Sequence, residues 1–257
     1  MHLSYTQIST FLRCPKLYEY RYIKKVPAPL PIRMLAGRCY HHCVATAATR
    51  KVLFNEIMSD EELSDVFADH WSKEMLDKLV YDELGEEKVE ATVIDFGDED
   101  PGKLKDSGIK LSQKYVNDIL PKLNIEAIER RYEVDINGIT FVAYPDLELV
   151  GDIIADHKFR QKRMSQDEVD RDIQATSYAL VKNKPIIFQF HQALDAKEKK
   201  IEVAETRRDK GDIEWFKRLV VDIWRSIETA IFPCNPTGWW CGENSCAYWL
   251  DCKKGWF

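Results

Sequence analysis

The sequence has no long apolar stretch. Nowhere in its 257 residues does a run approach the roughly 18 consecutive apolar residues that a transmembrane helix requires. The chain also does not start with a basic region followed by an apolar core, as a secretory leader does. We therefore expect an intracellular protein, in the cytoplasm or associated with the nucleoid, that has no membrane partner.

The chain also lacks an excess of positive charge, with 37 Lys and Arg residues against 43 Asp and Glu and a formal net charge of -6. This balance argues against a nonspecific coat on nucleic acid. It does not exclude an enzyme that acts on nucleic acid, because such a site depends on local charge and metal ions. With 45% apolar and 31% charged residues, and no internal repeat, the composition is typical of a globular protein with a full core.

The first 120 residues favour helices. Ser4 and Gln7 are spaced as a capping box before an amphipathic stretch that ends at Cys14-Pro15, and Ser59 and Glu62 form a second box. Between them, a proline-rich linker precedes a helical segment over residues 34–49, and a polar loop follows at residues 97–102. The second box leads into an apolar helical stripe made of Val66, Phe67, Trp71, Met75 and Leu79.

From residue 125 the pattern changes to the alternation typical of strands. Asn137-Gly138 separates two alternating runs and predicts a β-hairpin. Gly151-Asp152 predicts a turn before a third strand, which we expect to end at residues 156–158. The remaining predicted elements are a helix capped at Ser165, strands over residues 186–190 and 200–203, and an amphipathic helix over residues 213–227. This order indicates an α/β fold with a mixed sheet.

The third strand carries unexpected charge. Residues i and i+2 of a strand share a face about 6.6 Å apart, so Asp156 and Lys158 project side by side after the apolar run Ile153-Ile154-Ala155. Ten residues upstream, Pro145-Asp146 supplies a second carboxylate. Taken alone, Asp-x-Lys is usually a solvated charge pair and Pro-Asp a turn. A functional interpretation therefore depends on the motifs around them.

Those motifs resemble the PD-(D/E)XK nuclease superfamily. Pro145-Asp146, then Asp156-His157-Lys158, then a helix with Gln174-x-x-x-Tyr178 follow the order of that family. Gly37-x-x-x-His41 and Phe11-x-x-Cys14-Pro15 are similar to its RecB-like branch, which includes CRISPR-associated adaptation exonucleases. The resemblance spans almost the whole chain and implies a restriction-endonuclease-like fold, in which helices flank a mixed central sheet.

The resemblance also implies a metal site for Mg²⁺ or Mn²⁺. Its ligands would be Asp146, Asp156, the backbone carbonyl of His157, and His41, whose nitrogen favours Mn²⁺. Lys158 would polarise the attacking water or stabilise phosphate oxygens. Gln174 and Tyr178, one helical turn apart, would orient the substrate.

Two assignments near this site stay open. His42 adjoins His41, and a histidine on an apolar helix is commonly a core residue, but the spacing from Gly37 favours His41. Glu148 shares the strand face of Asp146 and is either a further ligand or an outward-facing charge.

The seven cysteines are odd in number and do not indicate a disulfide framework. Cys241, Cys246 and Cys252 lie close together, and the family resemblance adds Cys14 as the remote fourth ligand of a 4Fe-4S cluster. The first gap holds four residues where the family usually has two, which puts the ligand geometry in doubt. The alternative is a zinc site of Cys234, Cys241, Cys246 and Cys252, although the chain has no Cys-x2-Cys knuckle.

Several side chains are candidates for DNA contact. Cations follow the third strand and recur in the next turn, where they would hold a phosphate backbone without recognising its sequence. Tyrosines near the start of the chain could stack on unpaired bases or pack against the core. These residues are Arg160, Lys162, Arg163, Lys197, Lys199 and Lys200, and Tyr18, Tyr20, Arg21 and Tyr22.

The sequence thus predicts a Mg²⁺- or Mn²⁺-dependent exonuclease acting on DNA ends or single strands. Recombination and repair, phage DNA processing and CRISPR adaptation share this chemistry, and any helicase or adaptation partner would be a separate chain, since no Walker motif is present. The alternative is a catalytically idle iron–sulfur DNA-binding or adaptor subunit. The expected organisation is a helical region (1–124), a nuclease core (125–232) and a cysteine segment (233–257) packed on the amino terminus. The oligomeric state is not predicted.

Overall fold

A computed structural model describes residues 2–79 and 93–254. Within them, the α-helices are α1 (Tyr5–Arg13), α2 (Pro15–Tyr18), α3 (Ile32–Phe54), α4 (Asp60–Leu79), α5 (Pro101–Asp118), α6 (Gln166–Arg171), α7 (Ile173–Lys182), α8 (Lys210–Glu228) and α9 (Trp249–Lys254). The strands are β1 (Leu3–Ser4), β2 (Leu30–Pro31), β3 (Ile94–Asp95), β4 (Ile125–Ile128), β5 (Tyr132–Ile136), β6 (Ile139–Ala143), β7 (Leu147–Leu149), β8 (Ile153–Arg160), β9 (Ile186–Leu194) and β10 (Lys200–Arg208). A π-helical turn (Glu19–Ile23) and a 3-10 turn (Leu120–Lys122) complete the set.

The main sheet has five strands in the order β10-β9-β8-β7-β4. Strands β8 and β9 are parallel and are connected through α6 and α7, whereas the other neighbours are antiparallel. The predicted mixed α/β architecture is therefore confirmed. No helix in the described ranges combines the length and apolar character that crossing a bilayer would require.

A smaller sheet, β1-β6-β5, contains the predicted hairpin. Asn137 and Gly138 at its turn have φ of 55° and 84°, the positive values that a type I′ turn requires. Strand β1 pairs with β6 in parallel, so the first residues of the chain are attached to this sheet.

The two faces of the main sheet bury different cores. Alternate residues of a strand point to opposite faces, so Ile154 packs with α1, α7 and α8, and Ala155 packs with α3, α4 and α5. On the second face, α4 and α5 approach closely, because a Cβ on Gly108 would lie 2.2 Å from the ring of Phe67. Phe67 and Trp71 of the predicted α4 stripe are buried, while the side chain of Leu79 lies outside the described residues.

The observed elements differ from the expected ones in several places. Strand β8 does not end at residues 156–158 but continues to Arg160, because its parallel pairing with β9 extends to Leu194. The helix capped at Ser165 is two helices, because Asp172 has an extended ψ of 116° and its side chain accepts a hydrogen bond from the backbone N–H of Gln174. Strands β4 and β7, of four and three residues, were not predicted.

Candidate active site

Asp146 lies at the entry to β7, where three groups converge on one carboxylate oxygen. Its Oδ2 accepts a hydrogen bond from the backbone N–H of His157 at 2.7 Å. The same oxygen lies 3.3 Å from Nδ1 of His41, on α3, and 3.3 Å from Nδ1 of His157. His41, Asp146 and His157 each offer a ligand atom, and these atoms lie within 4.8 Å of one another. This group could hold a metal ion.

The electrostatics of this group favour a charged carboxylate. Burial raises the pKa of Asp146, but His41 and His157 outweigh burial and hold that pKa well below its usual range. Burial lowers the pKa of His41, and the Asp146 charge outweighs it, so the pKa of His41 is raised. Asp146 is thus ionised at neutral pH, as a metal ligand must be.

Lys158 and Asp156 lie beside this group and belong to a chain of polar contacts that reaches α7. Lys158 Nζ lies 2.7 Å from Asp156 Oδ2 and donates a hydrogen bond to Gln174 Oε1 at 2.6 Å. Gln174 Nε2 donates to Asp156 Oδ1 at 2.6 Å and to the Tyr178 hydroxyl at 3.1 Å. The Tyr178 hydroxyl in turn donates to the backbone carbonyl of Tyr144. The structure therefore brings Asp156, Lys158, Gln174 and Tyr178 together, the four residues of β8 and α7 that the sequence analysis assigned to the site.

These contacts determine the charge states of the pair. Burial raises the pKa of Asp156, partly opposed by Lys158, and the nearby Asp146 raises it further. Burial lowers the pKa of Lys158, but Asp156 outweighs it and the net shift is upward. Lys158 is therefore a cation and a hydrogen-bond donor. Asp156 Oδ2 is paired with the Lys158 ammonium at 2.7 Å, so this buried carboxylate has a cation partner within the protein.

The His157 side chain extends from the opposite face of the sheet, into a cluster that the sequence did not indicate. Its ring packs edge-on against Tyr115 at 4.9 Å between centroids and lies 5.9 Å from His191. The Tyr115 hydroxyl is 2.8 Å from His191 Nδ1, and His191 Nε2 is 3.2 Å from Gln189 Oε1. Burial lowers the pKa of His191 to about 3, so this histidine is neutral. We had expected only the backbone carbonyl of His157 to take part in the site.

Tyr5 and Asp172 also belong to the site and were missed. Burial raises the pKa of the Tyr5 hydroxyl, and the charges of Asp172 and Asp156 raise it further. Ser9 and Asp172 are its hydrogen-bonding neighbours. Asp172 is within electrostatic reach of Lys158 and accepts a hydrogen bond from the backbone N–H of Gln174 at 2.8 Å. Only the contact between α1 and α7 identifies Tyr5, and no motif in the sequence marks it.

Both open assignments are resolved by position. The ring of His42 stacks on His70 at 4.0 Å, so His41 is the histidine that reaches Asp146. Glu148 is neither outward-facing nor part of the metal group, because it is only 2% exposed and pairs with Lys182 and with the Tyr132 hydroxyl at 2.7 Å.

A second site lies where the two ends of the described chain meet. A cavity of about 160 Å³ is lined by Cys14, Cys234, Cys241, Cys246 and Cys252, together with aromatic side chains. All of these cysteines are free, and no three of their sulfurs within the described ranges lie within 4.8 Å of one another. Cys39 and Cys43 are buried in the helical core.

Most of the predicted DNA contacts are engaged within the protein. Lys199 and Lys200 pair with Asp195 and Glu198, and Arg160 donates to the backbone carbonyl of Lys162. The tyrosines near the start do not offer free faces: Tyr18 is buried against Tyr22, and Tyr20 stacks on Tyr248. Base stacking by these tyrosines is therefore not supported.

Comparisons with known proteins concern the family and the fold of the chain. Residues 2–253 match the family model described as the PD-(D/E)XK nuclease superfamily. The crystal structure of a protein named "Putative exonuclease", from Eubacterium rectale, is similar in fold, with a TM-score of 0.54 and 11% identity over 93% of this chain and 86% of that chain. The crystal structure of SSO0001 aligns with a TM-score of 0.35 and 13% identity over 96% of this chain and 94% of that chain. No curated protein matches the chain.

Proposed function

The chain belongs to the PD-(D/E)XK nuclease superfamily, and from that premise we propose that it is a metal-dependent nuclease that hydrolyses DNA phosphodiester bonds, as an exonuclease on ends or single strands. One observation carries the proposal. The acid pair Asp146 and Asp156 lies between a histidine, His41, and a cation, Lys158, that Gln174 holds in place. An idle adaptor would not need this charge arrangement.

The residues fit a divalent cation. Carboxylate oxygens suit Mg²⁺ and Mn²⁺, and Asp146 is held in its charged form by His41 and His157. His41 would add a nitrogen ligand, which favours Mn²⁺. The His157 backbone carbonyl is proposed as a further ligand. A bound cation would supply hydroxide near neutral pH and would neutralise charge on the phosphate.

The protein side chains then divide the remaining work. Lys158 is protonated and points from the same strand face as Asp156, so it can donate to a phosphate oxygen or to the attacking water. Gln174 contacts Lys158 and Asp156 at once, which fixes both rotamers. Tyr178 holds Gln174 in turn. We assign Gln174 and Tyr178 positioning roles.

The test is digestion of end-labelled single- and double-stranded DNA with added Mn²⁺ or Mg²⁺. Asp156→Asn and Lys158→Met are each expected to lower the cleavage rate by about 100-fold or more, since each removes charge from the reacting centre. Asp152→Asn and Lys184→Met are matched controls, because these residues form an exposed ion pair at the β7–β8 turn and at the end of α7, outside the site. Equal activity in all four variants would show that a contaminant cleaves the DNA and would refute the proposal.

We further propose that the cysteine cavity holds a 4Fe-4S cluster on Cys14, Cys241, Cys246 and Cys252. The position of the cavity favours this proposal, because its cysteines come from both ends of the described chain. Visible charge-transfer absorbance after anaerobic purification supports the cluster, whereas stoichiometric zinc without iron would favour the site that includes Cys234.

For the biological setting, we propose three processes that share this chemistry. Recombination and repair, phage DNA processing and CRISPR adaptation all consume DNA ends, and helicase or adaptation proteins would act as separate chains. Strand polarity comes from the same end-labelled substrates.

A further inference from the structure

The most exposed large hydrophobic side chain among the described residues is that of Trp239, which lies beside Arg13 at the carboxyl end of α1. Trp239 is 82% exposed. The guanidinium carbon of Arg13 lies 5.8 Å from its ring centroid and 5.7 Å from that of Trp240. We call Arg13, Trp239 and Trp240 the indole platform. Within the described chain, the guanidinium of Arg13 contacts these rings rather than a carboxylate, so it remains available to an anion.

The backbone beneath the platform is anchored. The Asn235 side chain donates to the backbone carbonyl of Arg13 at 3.0 Å, and the backbone N–H of Asn235 donates to Cys14 Sγ at 3.4 Å. The ring of Trp240 lies directly over Gly238, where a Cβ would be only 2.0 Å from it. Only glycine leaves room for the ring at this point. The Arg13 backbone and the Trp240 ring are therefore held before any ligand arrives, which lowers the entropic cost of binding there.

Helix α1 connects the platform with the candidate active site. Residues spaced by three or four along a helix share a face, which groups Tyr5, Ser9, Leu12 and Arg13. Tyr5 lies beside Asp172 and Asp156, and Leu12 is 46% exposed. At 1.5 Å per residue, the distance from Tyr5 to Arg13 is about 12 Å.

We propose that the indole platform binds single-stranded DNA whose cleaved phosphate lies at the active site. The Trp239 indole would stack on a base, and Arg13 would contact a phosphate of the strand between the two sites. An exposed indole can stack on the open face of an unpaired base, and a guanidinium beside it suits a phosphate. The chain has a net charge of -6, so its overall charge does not attract DNA. Arg13 beside the two indole rings provides a local positive charge that does attract a phosphate. The inference rests on the proposed nuclease function for the position of the cleaved phosphate.

Binding is measured first, with fluorescein-labelled oligo(dT) of about twelve nucleotides and no added divalent metal, so that hydrolysis does not interfere. Trp239→Ala is expected to weaken binding about 5- to 150-fold, since stacking on one base contributes about 1–3 kcal/mol. Trp239→Phe is expected to restore most of the affinity, and Arg13→Gln to weaken binding and reduce its salt dependence. Trp215→Ala is the matched control, a tryptophan on α8 that is 46% exposed and whose ring lies beside Phe216 rather than in the indole platform. A blunt duplex of equal length is expected to show no loss with Trp239→Ala.

Cleavage then separates this inference from the proposed function. Bis(p-nitrophenyl) phosphate is too small to reach from the active site to the platform. Trp239→Ala is expected to lower kcat/KM for oligo(dT) far more than for this small diester. Unchanged oligo(dT) binding in both Trp239→Ala and Arg13→Gln would overturn the inference, as would equal losses on duplex and single strand. If the wild-type protein hydrolyses neither substrate, the nuclease function fails, while the binding data still decide whether the platform holds single-stranded DNA.

Discussion

His191 is expected to make the stability of this protein depend on pH in the mildly acidic range. Burial lowers its pKa from 6.5 to about 3, while the Tyr115 hydroxyl and Gln189 Oε1 satisfy its two ring nitrogens in the neutral form. In the unfolded chain the imidazole takes up a proton below about pH 6.5. The unfolded state therefore binds more protons than the folded state between the two pKa values, so stability falls as pH falls through this window.

The magnitude follows from the size of the window. One proton changes the free energy of unfolding by about 1.4 kcal/mol per pH unit once the pH is well below 6.5, so the His191 contribution between about pH 7.5 and pH 5 is about 2 kcal/mol. His191→Gln removes this titration and keeps an acceptor for Tyr115. The variant is expected to be less stable than wild type at about pH 7.5, through lost packing. The difference between them should shrink by about 2 kcal/mol at about pH 5.

The assay is urea unfolding followed by tryptophan fluorescence at several pH values, with the same metal content throughout. Tyr115→Phe provides the control, because it removes the hydrogen bond but leaves the buried imidazole. That variant should lose stability at every pH and retain the pH dependence of wild type. Identical pH dependence in wild type and His191→Gln would refute the argument that this histidine is buried in its neutral form.

Three further predictions concern the packing and the cysteine cavity. Glu148→Gln or Lys182→Met is expected to lower the free energy of unfolding by about 3 kcal/mol or more in urea titrations, since each leaves a buried charge or hydrogen bond without its partner. The double variant Glu148→Leu with Lys182→Met should lose less free energy of unfolding than the two single variants together. Cys14→Ala is expected to lose iron and visible absorbance, and Cys234→Ala to keep both, measured by metal analysis of anaerobically purified protein. Gly108→Ala is expected to lower the melting temperature through an overpacking cost of about 1–3 kcal/mol, because its Cβ would overlap an aromatic ring on α4.

Elements with local determinants were predictable from the sequence. The hairpin at Asn137-Gly138 has its turn conformation specified by two residues with positive φ, and α8 buries the residues that its periodicity predicts. The length of β8 depends instead on β9, whose pairing with it is set by residues about thirty positions away. Non-local pairing of this kind leaves no periodicity in either strand.

The candidate site shows the same division between local and tertiary information. Motif spacing placed Asp156, Lys158, Gln174 and Tyr178 on adjoining faces, because strand and helix periods alone decide which way they point. Tyr5 joins them only through the packing of α1 on α7. The His191 cluster is likewise invisible in the sequence, since a histidine in a buried strand has no distinctive neighbours along the chain.

The geometry at Asp146 shows why a proline precedes the acid. In the β7–β8 register Leu147 is opposite Ala155, so the next residues would place Pro145 opposite His157. Proline has no N–H to donate, and the ladder of paired residues ends at Leu147. Beyond this last pair, the N–H of His157 donates to the Asp146 side chain rather than to a strand carbonyl, at 2.7 Å. The charged oxygen is therefore held by the strand that carries Asp156 and Lys158, and the end of one ladder positions both acids at one site.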